Sequence, residues 1–170
     1  MNVGIIGAGL QGRRRAQALK QSQDARLVAV ADINQSAANV LVAEMGGEVL
    51  PSWEEVTARK DIDIVVICTP PHLHLPISIA AMKNGKHVLC EKPLALNPGE
   101  AEEMLAAAKE SGVRLKCGFN HRHHPAIKQA YDLLQQGAIG ELIFVRGRYG
   151  IGGRLGFDKE WRAVPAIAGG

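Results

Sequence analysis

The sequence predicts an α/β fold built on a doubly wound, mainly parallel sheet, and three observations predict it. Short β-branched apolar runs alternate with helix-length segments along most of the chain. The run Asp63–Cys68, DIVVIC, is apolar after its first residue, as a central strand covered on both faces must be. Glycine turns or polar loops follow the runs, which is the punctuation that right-handed βαβ crossovers need.

The elements follow in order. Asn2–Ile6 is a short strand entering GAGLQG, and Arg13–Gln21 is helical, with Ala16 and Leu19 on one face. Arg26–Ala31, RLVAVA, is a β-branched strand ending at Asp32. Ser36–Met45 is a helix that Gly46-Gly47 ends, and Glu48–Leu50 is a short strand. Ser52 offers an N-cap, with Glu55 at the capping-box position, for a helix through Ala58. After Asp63–Cys68 come a helix at Pro76–Asn84, closed by Gly85, and a strand at His87–Cys90. Asn97 caps a helix to Ser111, with Pro98 in its first turn and Gly112 behind it. Arg114–Gly118 is a strand, Pro125–Gln136 a helix ended by Gly137, and Glu141–Tyr149 a final strand. From Tyr149 the stretch YGIGGRLGFDKEWRAVPAIAGG has neither period, and a compact domain rarely ends on so long a structureless segment. It reads as the start of a further part.

Composition narrows the function classes. At 170 residues and 46% hydrophobic, the chain can bury a sizeable core. The formal charge of +3 comes from interspersed signs, and aromatics are only 4%, so no nucleic-acid face is expected. The nearest thing to a basic stripe, Arg13-Arg14-Arg15, reads as an ordinary exposed helix face. No apolar run approaches the roughly 18 residues of a membrane span, and no leader pattern opens the chain, so a cytoplasmic protein with no membrane partner is expected. Cys68, Cys90 and Cys117 form no CxxC pair and read as buried free thiols.

The turn GAGLQG spans Gly7, Ala8, Gly9, Leu10, Gln11 and Gly12, with glycines at G-x-G-x-x-G spacing between a strand and a helix. In that context the pattern binds a dinucleotide. Gly7 makes the tight turn, Gly9 lets the backbone approach a pyrophosphate, and Gly12 lets the helix pack on the strand. The helix N-terminus then offers free N–H groups to the phosphates. Asp32, 20 residues after Gly12, can accept from the adenosine ribose hydroxyls and repels a 2′-phosphate, which favours NAD over NADP. Arg13 and Arg14 weigh mildly the other way.

Ligands on open α/β sheets sit at the carboxyl ends of the strands. Here those ends carry Thr69-Pro70-Pro71-His72-Leu73-His74, Glu91-Lys92-Pro93 and Gly118-Phe119-Asn120-His121-Arg122-His123-His124. Thr69, Pro70, His72 and His74 are placed to reach a dinucleotide. Lys92 is a candidate proton-transfer group, with Glu91 beside it opposing a lowered pKa. His121, His123 and His124 have no carboxylate or cysteine at a supporting spacing, so no metal is expected.

Together these pieces resemble the Gfo/Idh/MocA oxidoreductases, the glucose–fructose oxidoreductase and inositol dehydrogenase family. The matching segments are GAGLQG, VAVAD, CTPPHLH, AMKNGKHVLCEKPLALN, GFNHRHHP, GAIGEL and DKEWRAVPAIAGG. The resemblance implies a dinucleotide-binding Rossmann domain over residues 1–120, and a connecting helix with the truncated start of a second α/β domain over residues 121–170. It implies that Lys92 lies beside the nicotinamide and helps a substrate hydroxyl lose its proton, with a cis bond before Pro93. It places Asn120, Arg122, Trp161 and Arg162 near the same end. Family members continue past this point into a G-x-H-x-x-D helix that completes the proton relay.

The expectation is an NAD-dependent dehydrogenase of a sugar, cyclitol or similar polyol, inactive as this chain alone. A non-catalytic NAD-binding module is the alternative. Another Rossmann user, such as an S-adenosylmethionine-dependent methyltransferase, fits the strand order and the acidic residue but leaves Glu91-Lys92-Pro93 and Trp161-Arg162 unexplained. An unpaired strand at Glu141–Tyr149, with Leu142, Phe144 and Val145 exposed, predicts self-association.

Overall fold

The computed structural model describes residues 1–148, 150 and 155–168. The chain divides into two compact units, Met1–Gly118 with the segment from Trp161, and Phe119–Glu160.

The first unit carries a six-stranded sheet. Its strands are β1 (Asn2–Ile6), β2 (Arg26–Ala31), β3 (Glu48–Val49), β4 (Ile64–Ile67), β5 (His87–Cys90) and β6 (Leu115–Cys117). They run in the order β3-β2-β1-β4-β5-β6, every pair parallel. The order reverses direction between β1 and β4, which is where open α/β sheets hold their ligands. The helices between strands are α1 (Leu10–Leu19), α2 (Gln35–Met45), α3 (Trp53–Ala58), α4 (His74–Lys83) and α5 (Pro98–Glu110).

The central strands β1, β2 and β4 bury both faces, so two cores form. One gathers Ile6, Ala29, Ala31, Val65, Ile67, Val88 and Cys90 with Val56, Ile77, Met82 and Met104 of α3, α4 and α5. The other gathers Val3, Ile5, Val30 and Val66 with Ala16 of α1 and Leu41 of α2. Neighbouring residues such as Val65 and Val66 fall in different cores, as a strand's alternating side chains require.

Capping follows the sequence. Ser52 and Asn97 accept from the N–H groups of Glu55 and Glu100, and Asn34 does so from Ala37. Two helices start earlier than the residue pattern suggests. α1 begins at Leu10, so Leu10, Gln11 and Gly12 lie inside its first turn. α4 begins at His74, directly after a 3-10 turn at Pro71–Leu73 that the two prolines set up.

The second unit holds a 3-10 turn at Asn120–His123, helix α6 (Pro125–Gln135) and a 3-10 turn at Phe157–Lys159. The strand expected at Glu141–Tyr149 is not formed over residues 141–148, and Tyr149 lies outside the described residues. A lone strand has no ladder to complete its hydrogen bonds, and the unit offers no partner strand among its described residues. The premise of an open strand edge therefore fails, although Leu142, Ile143, Phe144 and Val145 remain exposed.

Candidate functional site

The carboxyl ends of β1 and β4 are pressed together by the glycine turn. Gly7 sits at φ +101°, and a Cβ there would come within 2.8 Å of the Cys68 carbonyl group. A Cβ on Gly12 would lie 1.9 Å from the Gly7 carbonyl oxygen, so α1 can pack this close only through glycine. Gly9 differs: a Cβ there meets nothing within 4 Å, so space lies open in front of the backbone. That open space, beside the first turn of α1, is what a pyrophosphate requires.

Asp32 follows β2 at the same edge. Its Oδ2 accepts from the Ala8 N–H at 2.6 Å and its Oδ1 from the Asn34 N–H at 2.7 Å. The carboxylate is thereby fixed against the glycine turn, and each oxygen keeps a lone pair for a ribose hydroxyl. Of the nearby arginines, Arg13 faces Glu44 of α2 at 3.9 Å and Arg14 is exposed.

After β4, the Thr69 hydroxyl is buried and has no hydrogen-bond partner among the described residues. A buried, unsatisfied hydroxyl beside an open glycine turn is the kind of group that a bound ligand completes. The open Gly9 face, Asp32 and Thr69 together fit a dinucleotide. Pro70 is half-buried and His72 exposed.

His74 occupies a different place from the one expected of it. It is 1% exposed, with Nδ1 2.8 Å from the Pro93 carbonyl oxygen and Nε2 2.9 Å from that of Thr69. Both ring nitrogens are committed to backbone, so His74 bridges two loops instead of meeting a ligand. Its place as the first residue of α4 turns it inward.

After β5, Glu91 is buried and Lys92 is exposed. The Lys92–Pro93 bond is cis. The Glu91 carboxylate is paired with the Arg15 guanidinium, Nε donating to Oε1 at 2.8 Å and Nη2 to the same oxygen. The expectation that all of Arg13 to Arg15 form an exposed face therefore fails at Arg15. The available signal was helical spacing: Arg15 borders Ala16, which shares the buried face with Gly12.

Trp161 is half-buried, and the Arg162 guanidinium carbon stands 4.3 Å from the centroid of its ring, a cation–π distance. The short helix α7 (Pro165–Ala168) lies beside the Pro71–Leu73 turn, so this segment joins the first unit near the end of β4. Asn120 and Arg122 are exposed in the second unit. Among the described residues, no three His, Cys, Asp or Glu side chains gather as metal ligands, the histidines at 121, 123 and 124 included. No described helix is long and apolar enough to cross a membrane.

The three thiols are free. Burial pushes Cys68 up to about 12, with the Glu91 charge adding to the rise and Arg15 opposing it. Burial also raises Cys90 and Cys117.

Known proteins share this arrangement. Residues 1–119 match the model of the Gfo/Idh/MocA oxidoreductase family, NAD-binding Rossmann fold. The chain is 35% identical to levoglucosan dehydrogenase of Pseudarthrobacter phenanthrenivorans, over 97% of this chain and 43% of that protein. It is 36% identical to inositol 2-dehydrogenase of Rhizobium meliloti, over 84% of this chain and 43% of that protein. Among solved structures, GenD2 from gentamicin A biosynthesis, in complex with NAD, aligns with TM-score 0.78 and 31% identity, over 81% of this chain and 40% of that one. KijD10, a 3-ketoreductase from Actinomadura kijaniata in complex with NADP, aligns with TM-score 0.77 and 34% identity, over 83% of this chain and 44% of that one. The chain thus spans less than half the length of these relatives. With its sheet order, glycine turn and family match in agreement, the chain belongs to the Gfo/Idh/MocA oxidoreductase family through its NAD(P)-binding Rossmann fold.

Proposed function

We propose that this chain is the nucleotide-binding part of an NAD-dependent dehydrogenase acting on a sugar, cyclitol or similar polyol. The observation that carries the cofactor choice is Asp32, fixed at 2.6 Å from the Ala8 N–H with its charge at the turn. A 2′-phosphate there meets a carboxylate, and Arg13 faces Glu44 instead of that position. In this reading Gly7, Gly9, Leu10, Gln11 and Gly12 hold the pyrophosphate and Asp32 the ribose. Thr69, Pro70 and His72 border the dinucleotide at the end of β4, and Glu91, Trp161 and Arg162 border its nicotinamide end; Asn120 is assigned to that end by the family resemblance alone. The nicotinamide, when bound, exchanges a hydride with the substrate carbon. Lys92 takes or returns the hydroxyl proton at its Nζ, and its exposure leaves the amine accessible. The substrate class is supported by the names of the two dehydrogenase relatives.

The relatives' greater length supports a second part to the proposal, that the 170 residues alone bind NAD without turnover. The non-catalytic module remains the second reading on the same ground. Free thiols support a cytoplasmic location. Titrating the chain with NAD and NADP, followed by a hydride-transfer assay on a polyol panel, tests these points. NAD is expected to bind at least about tenfold more tightly, a difference of about 1.4 kcal/mol, and Asp32→Ala to remove most of that margin. NADP binding as tightly as NAD would sink the cofactor assignment, and turnover by the chain alone would sink the second part.

Self-association belongs to the proposal too, supported by the consecutive exposed side chains Leu142, Ile143, Phe144 and Val145. Light scattering is expected to show dimers or larger species that Ile143→Glu dissociates. A monomer at every concentration counts against it.

A further inference from the structure

We infer that Arg15 and His74 are positioning residues that hold the two ends of Glu91-Lys92-Pro93 and so fix where Lys92 stands at the carboxyl edge of the sheet. This rests on the reading of Lys92 given above. Lys92 is the exposed middle of a tripeptide whose neighbours are tied to different elements. On one side, the Glu91 N–H donates to the Ile67 carbonyl of β4 at 2.9 Å, and the Glu91 carboxylate is held by Arg15 of α1. The donor is a charged guanidinium, Glu91 is 7% exposed, and a charge-assisted bond in such surroundings is a strong one. On the other side Pro93 has no N–H, so its carbonyl is the only backbone polar group it can use. That carbonyl is met by His74 Nδ1 at 2.8 Å.

Both ties lead back to the cofactor edge. Arg15 lies one helical turn beyond Gly12, so it links the tripeptide to the helix that starts at the glycine turn. His74 also meets the Thr69 carbonyl at 2.9 Å, which links the same tripeptide to the loop after β4. The Pro93 tie needs the proton on Nδ1, so it is made by the Nδ1–H neutral ring and by the doubly protonated ring, which donates to both carbonyls. Gly118 completes the arrangement. Its N–H donates to the Cys90 carbonyl at 2.7 Å, and a Cβ there would come within 3.1 Å of both Arg15 Nη2 and Glu91 Oε1. The end of β6 is thus bare where the ion pair passes beneath it.

The test is backbone ¹⁵N relaxation on the whole 170-residue chain, without NAD, for wild type, Arg15→Met and His74→Leu. Arg14→Met is the control, since Arg14 is exposed on the same helix. The Lys92 N–H order parameter is expected near about 0.85 in wild type and the control, and below about 0.6 in the two variants. The amides of β4 and β5 are expected to stay rigid throughout. An unchanged Lys92 order parameter in Arg15→Met and His74→Leu overturns the inference, and so does a loss spread evenly over the sheet. Should Arg15→Met fail to fold, Glu91→Met, which removes the acceptor, decides the first tie in the same measurement; should His74→Leu fail, His74→Phe decides the second, and an unchanged Lys92 order parameter in either overturns the inference. Adding NAD to wild type is then expected to shift the Lys92 amide resonance. No shift would sink the placing of Lys92 beside the cofactor, whereas the order parameters decide the anchoring by themselves.

Discussion

Strand β5 has a lysine near each end, and the two could hardly differ more. Lys86, just before the strand, is 3% exposed, and its Nζ donates to the carbonyl oxygens of Arg59 at 2.6 Å and Ile62 at 3.0 Å. Lys92, just after the strand, is exposed on a loop whose neighbours are held. Burial lowers the pKa of Lys86, with Asp61 and Asp63 opposing. Perturbed groups mark functional sites only when the surroundings leave them something to do. An open cleft of about 680 Å³ even adjoins Lys86, lined by Met1, Lys60, Asp63 and His87. Yet the amine is spent on closing the end of α3 and the chain leading into β4. At the amino edge Lys86 spends its amine on backbone carbonyls, while the carboxyl edge keeps several groups in reserve: the Gly9 face, the Thr69 hydroxyl and the Lys92 amine.

The glycine turn gives the largest expected break of that contrast. Gly12→Ala sets a Cβ 1.9 Å from backbone that cannot move aside as a side chain can. The expected cost is about 3 kcal/mol, at the upper end of the usual range for overpacking, with loss of NAD binding. Gly9→Ala meets no atom and is expected to leave thermal unfolding within about 0.5 kcal/mol of wild type while weakening NAD binding at least tenfold. Calorimetry and a cofactor titration separate the two. Equal effects on both quantities would mean that the open face of Gly9 is not a ligand surface.

The lysines give the next step down. Lys86→Met leaves two carbonyls without their donor and is expected to cost about 1 to 3 kcal/mol. Lys92→Met is expected to change stability by less than about 0.5 kcal/mol. Alkaline pH sharpens the difference. Because the folded-state pKa of Lys86 lies below its ordinary value, both states carry the proton at low pH and the burial penalty is complete. As pH rises through the folded value toward 10.5, the folded chain releases its proton first and the unfolded chain still holds one. Stability therefore rises with pH over that window. Wild type is expected to gain on Lys86→Met between pH 7 and pH 10 in denaturant titrations, and a constant gap would refute the assignment.

The contrast also shows what the residues disclose in advance. Strands β1, β2 and β5 were legible to the residue, because apolar β-branched runs bounded by glycine or charge leave little choice of boundary. The glycine turn and Asp32 were legible because each residue type serves a backbone or charge requirement that few others meet. Arg15 and His74 were misread for one reason. Their roles are set by partners 76 and 19 residues away: helical spacing beside Ala16 could have turned Arg15 inward, but nothing local names the carboxylate it meets. Lys86 escaped notice likewise, since its acceptors are backbone carbonyls, which every sequence has. The strand expected near residue 141 was read from side-chain pattern alone, and pattern does not supply a neighbour to pair with.

The smallest expected changes between variants concern the thiols, which sample the carboxyl edge directly. Cys68 follows β4 beside Thr69, and Cys90 and Cys117 end β5 and β6. A thiol reacts as its thiolate, and burial disfavours that charge at all three positions. With Cys68 near 12, only a minute share is ionised at pH 8, against a sizeable fraction for an ordinary cysteine near 8.5. Iodoacetamide at pH 8 is therefore expected to alkylate Cys68 at least about 100-fold more slowly than free cysteine, without loss of fold. The charge of Glu91 is one cause of that suppression and Arg15 opposes it, so Arg15→Met should slow Cys68 further and Glu91→Gln should quicken it. Mass spectrometry of the labelled peptides reads all three rates. Rapid labelling of Cys68 in the native wild-type chain would mean that the loop between β4 and the Pro71–Leu73 turn opens freely, and the held carboxyl edge would have to be given up.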